Sequence, residues 1–126
     1  MQKPRFHLIP AIFWLIISTI LLTLPGSAIP KADWLDKIWI DKWVHIGMFF
    51  MMVFLWARTI PKKQQHTSIK TTLILITIAA FLYGIGMEFI QKYFIPYRSF
   101  DILDIAADAI GCMFGMTFCL RNSLKK

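Results

Sequence analysis

Four long apolar runs take up most of this 126-residue chain: Leu8 to Leu24, Ile40 to Ala57, Thr72 to Tyr93 and Ile102 to Leu120. A helix crosses the hydrocarbon layer of a bilayer in about 17 to 25 residues, so each run can span it or nearly span it. Within that layer every backbone amide must find its partner inside the protein, which makes the helix the ready solution for one segment. The chain is 57% hydrophobic and only 17% charged, a balance that a soluble domain of this size could not hide in one core. The expectation is therefore an all-α polytopic membrane protein. It is a compact bundle of four transmembrane helices, at about 8–24, 40–57, 72–93 and 102–120, making one domain over residues 1–126.

The first run follows Lys3 and Arg5 and precedes Gly26, Ser27 and Ala28, as a cleaved leader would, but it is longer than the usual apolar region of a signal peptide. A retained helix is expected. Cys112 and Cys119 stand one heptad apart on one helix, about 10 Å along its axis, beyond the reach of a disulfide between them. The net charge of +7 raises the question of nucleic acid. The basic residues lie at segment ends rather than in a patch interleaved with aromatics, so no nucleic-acid partner is expected.

If the segments alternate, Lys3, Arg5, Arg58, Lys62, Lys63, Lys70, Arg121, Lys125 and Lys126 share one side. Lys31, Lys37, Lys42, Lys92 and Arg98 share the other. Positive charge marks the cytoplasmic side, so both termini are expected inside, in the inner or plasma membrane of a bacterial cell. Every acid of the chain, Asp33, Asp36, Asp41, Glu88, Asp101, Asp104 and Asp108, then lies in or near the outer half. Trp34, Trp39, Trp43, Tyr93 and Tyr97 would ring the outer interface and Trp56 the inner one. The stretch "DWLDKIWIDKW" is expected to lie along the outer surface before turning inward.

Three helices carry polar stripes. Asp104, Asp108, Gly111 and Gly115 follow helical spacings of four, three and four and stack on one face. The glycines allow another helix to come close, either within the chain or in a homo-oligomer through Gly111 and Gly115. Ala80, Gly84, Glu88 and Gln91 form the corresponding stripe on the third helix, and Asp41 and His45 line up on the second. At 1.5 Å per residue Glu88, His45, Asp104 and Asp108 fall at roughly 8 to 13 Å below the outer helix ends. The third and fourth helices should be antiparallel neighbours, which brings Glu88 level with the gap between Asp104 and Asp108. The expected result is one outward-facing polar pocket.

A plainer reading stands beside this one. Ser99 or Asp101 can cap the fourth helix, and an acid in its first turn suits the helix dipole. Fixed ion pairs, such as Glu88 with Arg98 or Asp108 with His45, would also satisfy buried charges. Ionisable groups at membrane depth are nonetheless costly, and their default reading is functional.

"DKWVHIGMFF", "EFIQKYFIPYRSFDILD" and "DAIGCMFG", in that order, resemble the VanZ-like membrane protein family, named for a protein associated with resistance to the glycopeptide teicoplanin. The similarity runs from about Pro10 to Leu120. By the resemblance the family's recurrent positions fall on Asp41, Lys42, His45, Glu88, Gln91, Pro96, Arg98, Ser99, Asp104, Gly111 and Gly115. The family more often carries asparagine where this chain has Asp108. Its name implies a cell-envelope role without supplying a reaction.

Two functions follow. In the first, the site binds or modifies a cell-envelope lipid or glycan head group, with membrane lipids or a lipid-linked envelope precursor as partners. His45 acts as general acid or base, and Glu88 and Asp104 orient it or hold a divalent cation. Asp41, Lys42, Gln91, Arg98, Ser99 and Asp108 line the ligand, with Arg98 as an anion clamp. A histidine among carboxylates suits several metals, and the spacing selects none. In the second, the protein is a non-enzymatic membrane module that alters antibiotic access or docks a partner through a structural polar cluster. A transporter or proton channel fits less well, because the ionisable residues crowd one side.

Overall fold

The computed structural model describes residues 4–24, 40–60, 66–96 and 101–124. Among these residues there are four helices and no strand: α1 (Pro4–Leu22), α2 (Ile40–Ala57), α3 (His66–Phe94) and α4 (Ile102–Leu124). Three contain stretches long and apolar enough to cross a membrane, Ile40–Ala57, Ser68–Phe94 and Ile102–Asn122. The apolar part of α1, His7–Leu22, is shorter. The whole helix, 19 residues at 1.5 Å each, is about 28 Å long, close to a hydrocarbon core of roughly 30 Å.

The helices outrun the apolar runs that betray them. α3 starts at His66, before the run that opens at Thr72, and α4 continues through Arg121 and Asn122 to Leu124. Hydropathy marks what the bilayer solvates, whereas helical hydrogen bonding continues wherever the backbone allows it. Asp41 in the first turn of α2, Asp104 in that of α4 and Arg121 in the last turn of α4 each oppose the local helix dipole. α1 includes Pro10 in its interior, where the missing N–H leaves one carbonyl of the preceding turn without its usual donor.

α2 touches all three other helices, and its most extensive packing is against α4. The reason lies in the glycines. A Cβ on Gly111 would collide with the backbone carbonyl of Ile46, and one on Gly115 would stand 2.9 Å from Val53 Cβ and 3.1 Å from the Phe50 carbonyl oxygen. Both glycines therefore face α2 of the same chain, and the two backbones meet where no side chain intervenes. The contacts advance together along both helices, from Ile46 with Gly111 to Phe50 with Gly115, so α2 and α4 run parallel.

α3 runs antiparallel to α4, since Glu88 reaches the start of α4 while Gly84 faces Asp108 further along it. α1 is held by side chains. Trp14 Nε1 donates to the Met48 carbonyl at 3.1 Å, Thr19 Oγ1 and Tyr83 Oη share a 2.6 Å hydrogen bond, and Gln91 Nε2 donates to the Leu22 carbonyl at 2.7 Å. The core between the helices is Met48, Phe49, Met52, Val53, Leu73, Ala80, Met87 and Cys112. Phe13, Leu75, Leu82 and Phe114 stay exposed, as lipid-facing side chains do. Trp43 and Tyr93 are exposed at the polar end, whereas Trp56 is half-buried against the core. Cys112 and Cys119 are both free.

Candidate functional site

Asp101 stands just ahead of α4 and holds three elements at once. Its Oδ1 accepts the Leu103 N–H at 2.9 Å, the geometry of an N-cap. Its own N–H donates to Glu88 Oε1 at 2.9 Å, which ties the top of α3 to the start of α4. Its Oδ2 receives the Lys42 ammonium at 2.6 Å. That hydrogen bond, the leading cause, holds the Asp101 carboxyl below its ordinary value of 3.8. The N-terminal start of α4, a local matter, and the α2–α4 contact thus share one carboxylate.

Lys42 bridges the two parallel helices. Its Nζ lies 2.7 Å from Asp41 Oδ2, 2.6 Å from Asp101 Oδ2 and 2.7 Å from Asp104 Oδ1. An ammonium has three N–H donors, and three carboxylates use them all. Oxygens of these aspartates also lie within 4.8 Å of one another, a spacing that suits a cation, and in this chain the lysine supplies the charge.

One turn deeper, His45 Nδ1 lies 2.7 Å from Asp108 Oδ1. An ionised carboxylate only accepts, so with Asp108 ionised Nδ1 carries the proton and Nε2 presents its lone pair. Nε2 stands 3.9 Å from Asp104 Oδ2, too far for a hydrogen bond and close enough for a small polar group to touch both. The imidazole rests over Phe49, with the rings within 7° of parallel and their centroids 6.5 Å apart. Phe49 in turn packs against Tyr83 and closes the floor.

Side-chain exposure falls from 60% at Asp41 and 38% at Asp101 to 13% at Asp104, 12% at Lys42, 8% at His45 and 3% at Asp108. The cluster therefore opens at Asp41 and closes at Asp108. Among the described residues the buried acidic and basic side chains are His45, Glu88, Asp104 and Asp108, all at this end of the bundle. The far end is aromatic, with Phe50, Phe54 and Phe118 in contact and Arg58 over the Phe54 ring.

The structure thus brings His45, Glu88, Asp104, Asp108, Lys42 and Asp41 together, from α2, α3 and α4. Gln91 lies on the Glu88 face of α3, but its amide nitrogen is bonded to the last turn of α1. Arg98, Ser99 and the 33–39 stretch lie outside the described residues, as do Trp34, Trp39 and Tyr97. Asp101, read from sequence only as a cap, is also a partner of Lys42 and Glu88. No local signal marks the lysine bridge, because Lys42 and its acceptor Asp104 are 62 residues apart.

An all-helical chain whose membrane-length helices enclose a buried histidine–aspartate pair beneath a lysine–carboxylate cluster is an integral membrane protein with a polar site inside its bundle. It belongs to the VanZ/LLP1 family, whose model matches residues 4–124. The chain is also 31% identical over 104 residues to an uncharacterized protein of the fission yeast Schizosaccharomyces pombe. That match covers 81% of this chain and 55% of the yeast protein, so the chain spans about half the length of this curated relative. No solved structure matches the chain significantly.

Proposed function

We propose that this membrane protein binds, and through His45 acts on, the polar head group of a cell-envelope lipid or glycan, at a site that faces outward from the cell membrane. The observation that carries the reading is the free face of His45. Nδ1 is fixed by Asp108 at 2.7 Å while Nε2 makes no hydrogen bond among the described residues and stands 3.9 Å from Asp104 Oδ2, in a cluster that opens to water at Asp41. A histidine held this way accepts or donates a proton at one defined atom.

Asp104 and Glu88 border the same space, so a hydroxyl or phosphate brought there meets oxygen acceptors beside the imidazole. Because Lys42 already serves three aspartates, an anionic group needs a further cation. Arg98, three residues before Asp101 in the chain, suits that role, and a divalent cation on the aspartates is the other candidate. The outward orientation rests on the distribution of lysine and arginine. A relative in a fission yeast argues for a head-group chemistry broader than glycopeptide resistance, with a lipid-linked envelope precursor as one ligand of the class.

The test is native mass spectrometry of protein extracted with its lipids. A retained phosphate- or glycan-bearing lipid, lost in His45→Gln and Glu88→Gln at normal expression, supports the proposal. Retention that is indifferent to both substitutions overturns it. Chelator treatment of the same sample separates a metal-dependent site from a metal-free one.

The second reading is a non-enzymatic module in which the cluster is structural glue, able to alter antibiotic access or dock a partner. The saturation of Lys42 by three carboxylates favours it, as does the use of Glu88 Oε1 to hold the start of α4. On this reading His45→Gln keeps function wherever the protein folds.

A further inference from the structure

Gly84 lies on α3 against the buried end of the site. A Cβ built there would stand 2.6 Å from Asp108 Oδ2, closer than real Cβ atoms come, and 3.0 Å from Cε1 and Cζ of Phe49, tighter than nearly all real Cβ contacts. Asp108 is 2% exposed and Phe49 is 0% exposed, so the space a methyl group would need is already filled. Gly86, two residues on along the same helix, has nothing within 4 Å of its own Cβ position. The requirement for glycine is therefore confined to the notch that receives the Asp108 carboxylate.

The two oxygens of Asp108 face different helices. Oδ1 meets His45 Nδ1 on α2 at 2.7 Å, and Oδ2 lies in the α3 notch. The notch thereby sets the direction in which Oδ1 points. We propose that Gly84 is a positioning residue of the polar site: lacking a Cβ, it seats Asp108 so that the carboxylate fixes His45 by Nδ1 and leaves Nε2 toward Asp104. The inference rests on the reading of His45 Nε2 as the atom that meets the head group.

The consequence of a methyl group at position 84 follows from what can move. The Phe49 ring is enclosed by the core, whereas Asp108 Oδ2 is the tip of a short side chain with two torsions. The carboxylate yields first, and its Oδ1 leaves the imidazole. His45 then loses the acceptor that selects its tautomer. α3 itself does not suffer, because alanine is the better helix former.

The tautomer is read from the imidazole nitrogen chemical shifts of protein labelled with 15N-histidine. His45 is assigned by the signals that vanish in His45→Gln, since His7 and His66 are the other histidines. The groups facing the ring are Asp108 and Asp104 from α4, Glu88 from α3 and Lys42 from its own helix, so spectra are compared at one pH. The expected result is an Nδ1–H signature in the parent protein and in Gly86→Ala, and its loss in Gly84→Ala. A folded Gly84→Ala with the parent signature overturns the proposal.

If Gly84→Ala does not fold, Gly84→Ala combined with Asp108→Ala decides, because the methyl group then has the space the carboxylate left. Recovery of folding supports the seat for Asp108, and failure of the double variant under conditions where Asp108→Ala alone folds overturns it in favour of a requirement of Phe49 packing alone. Retention of the co-extracted lipid separates this inference from the one beneath it. If Gly84→Ala loses the Nδ1–H signature yet retains the lipid, the positioning of His45 by Gly84 stands and the role of His45 in head-group binding falls.

Discussion

His45 Nδ1 meets Asp108 Oδ1 at 2.7 Å across the seam between two parallel helices, joining residues 63 positions apart. The approach depends on Gly111 and Gly115, which bring the α2 and α4 backbones close enough for a short aspartate to reach the ring. Polar contact and close packing are one arrangement, and the substitutions below separate them.

Asp108→Asn keeps an oxygen in the place of Oδ1 and should leave the fold intact, since the amide oxygen still accepts from Nδ1–H. Asp108→Ala removes the acceptor of a buried imidazole and should cost about 3–5 kcal/mol, as the loss of one partner of a buried pair does. His45→Gln should reduce any turnover of the head group by about 10²–10⁴-fold, the usual scale of general acid–base catalysis. Thermal unfolding in detergent gives the first two, and turnover of extracted lipid gives the third.

Lys42→Met leaves Asp41, Asp101 and Asp104 facing one another without their cation. Breaking a fully buried pair is the upper limit, and the partial exposure of Asp41 and Asp101 reduces the cost to about 1–3 kcal/mol. Adding calcium or manganese should recover part of the lost thermal stability in this variant and do less for the parent, because the three carboxylates are then open to a metal.

Asp101 makes the stability of the α2–α4 contact depend on pH in a definite direction. Its carboxyl is held low by the Lys42 hydrogen bond, so the folded form binds a proton less readily than the unfolded form. Its contribution is complete above the ordinary value of 3.8 and is lost as the pH falls through the lower value of the folded protein. Carbon-detected NMR titration should show Asp101 moving back up toward 3.8 in Lys42→Met.

Gly111→Ala should destabilise the protein by about 1–3 kcal/mol, because the new Cβ meets the Ile46 carbonyl and a backbone cannot step aside as a side chain can. Gly47→Ala, where nothing lies within 4 Å, should be neutral or stabilising by up to about 1 kcal/mol through helix propensity. Unfolding midpoints of the two variants in one detergent test the contrast.

The fold class was legible because hydropathy and helical period are local. The apolar runs located the helices, and the four-residue spacing of Asp104, Asp108, Gly111 and Gly115 placed acids and glycines on one face, which is the face α4 turns to α2. Helix ends were less legible, since His66 to Thr71 and Arg121 to Leu124 are polar stretches that continue helices beyond any apolar signal. The first helix differs at both ends from the run Leu8 to Leu24: it starts earlier, at Pro4, and stops sooner, at Leu22.

From the order of residues alone came a membrane-embedded helical bundle and a shortlist of polar side chains at one depth, since burial of a charge is rare enough to be conspicuous in a chain this apolar. The tertiary structure decided which of them touch. Lys42 gathers three aspartates, Glu88 holds the N–H of Asp101, Asp108 takes His45 rather than a cation, and Gly84 leaves space for Asp108. Such pairings depend on how far each helix is rotated and how closely its neighbour approaches, quantities set by packing between segments distant in the chain.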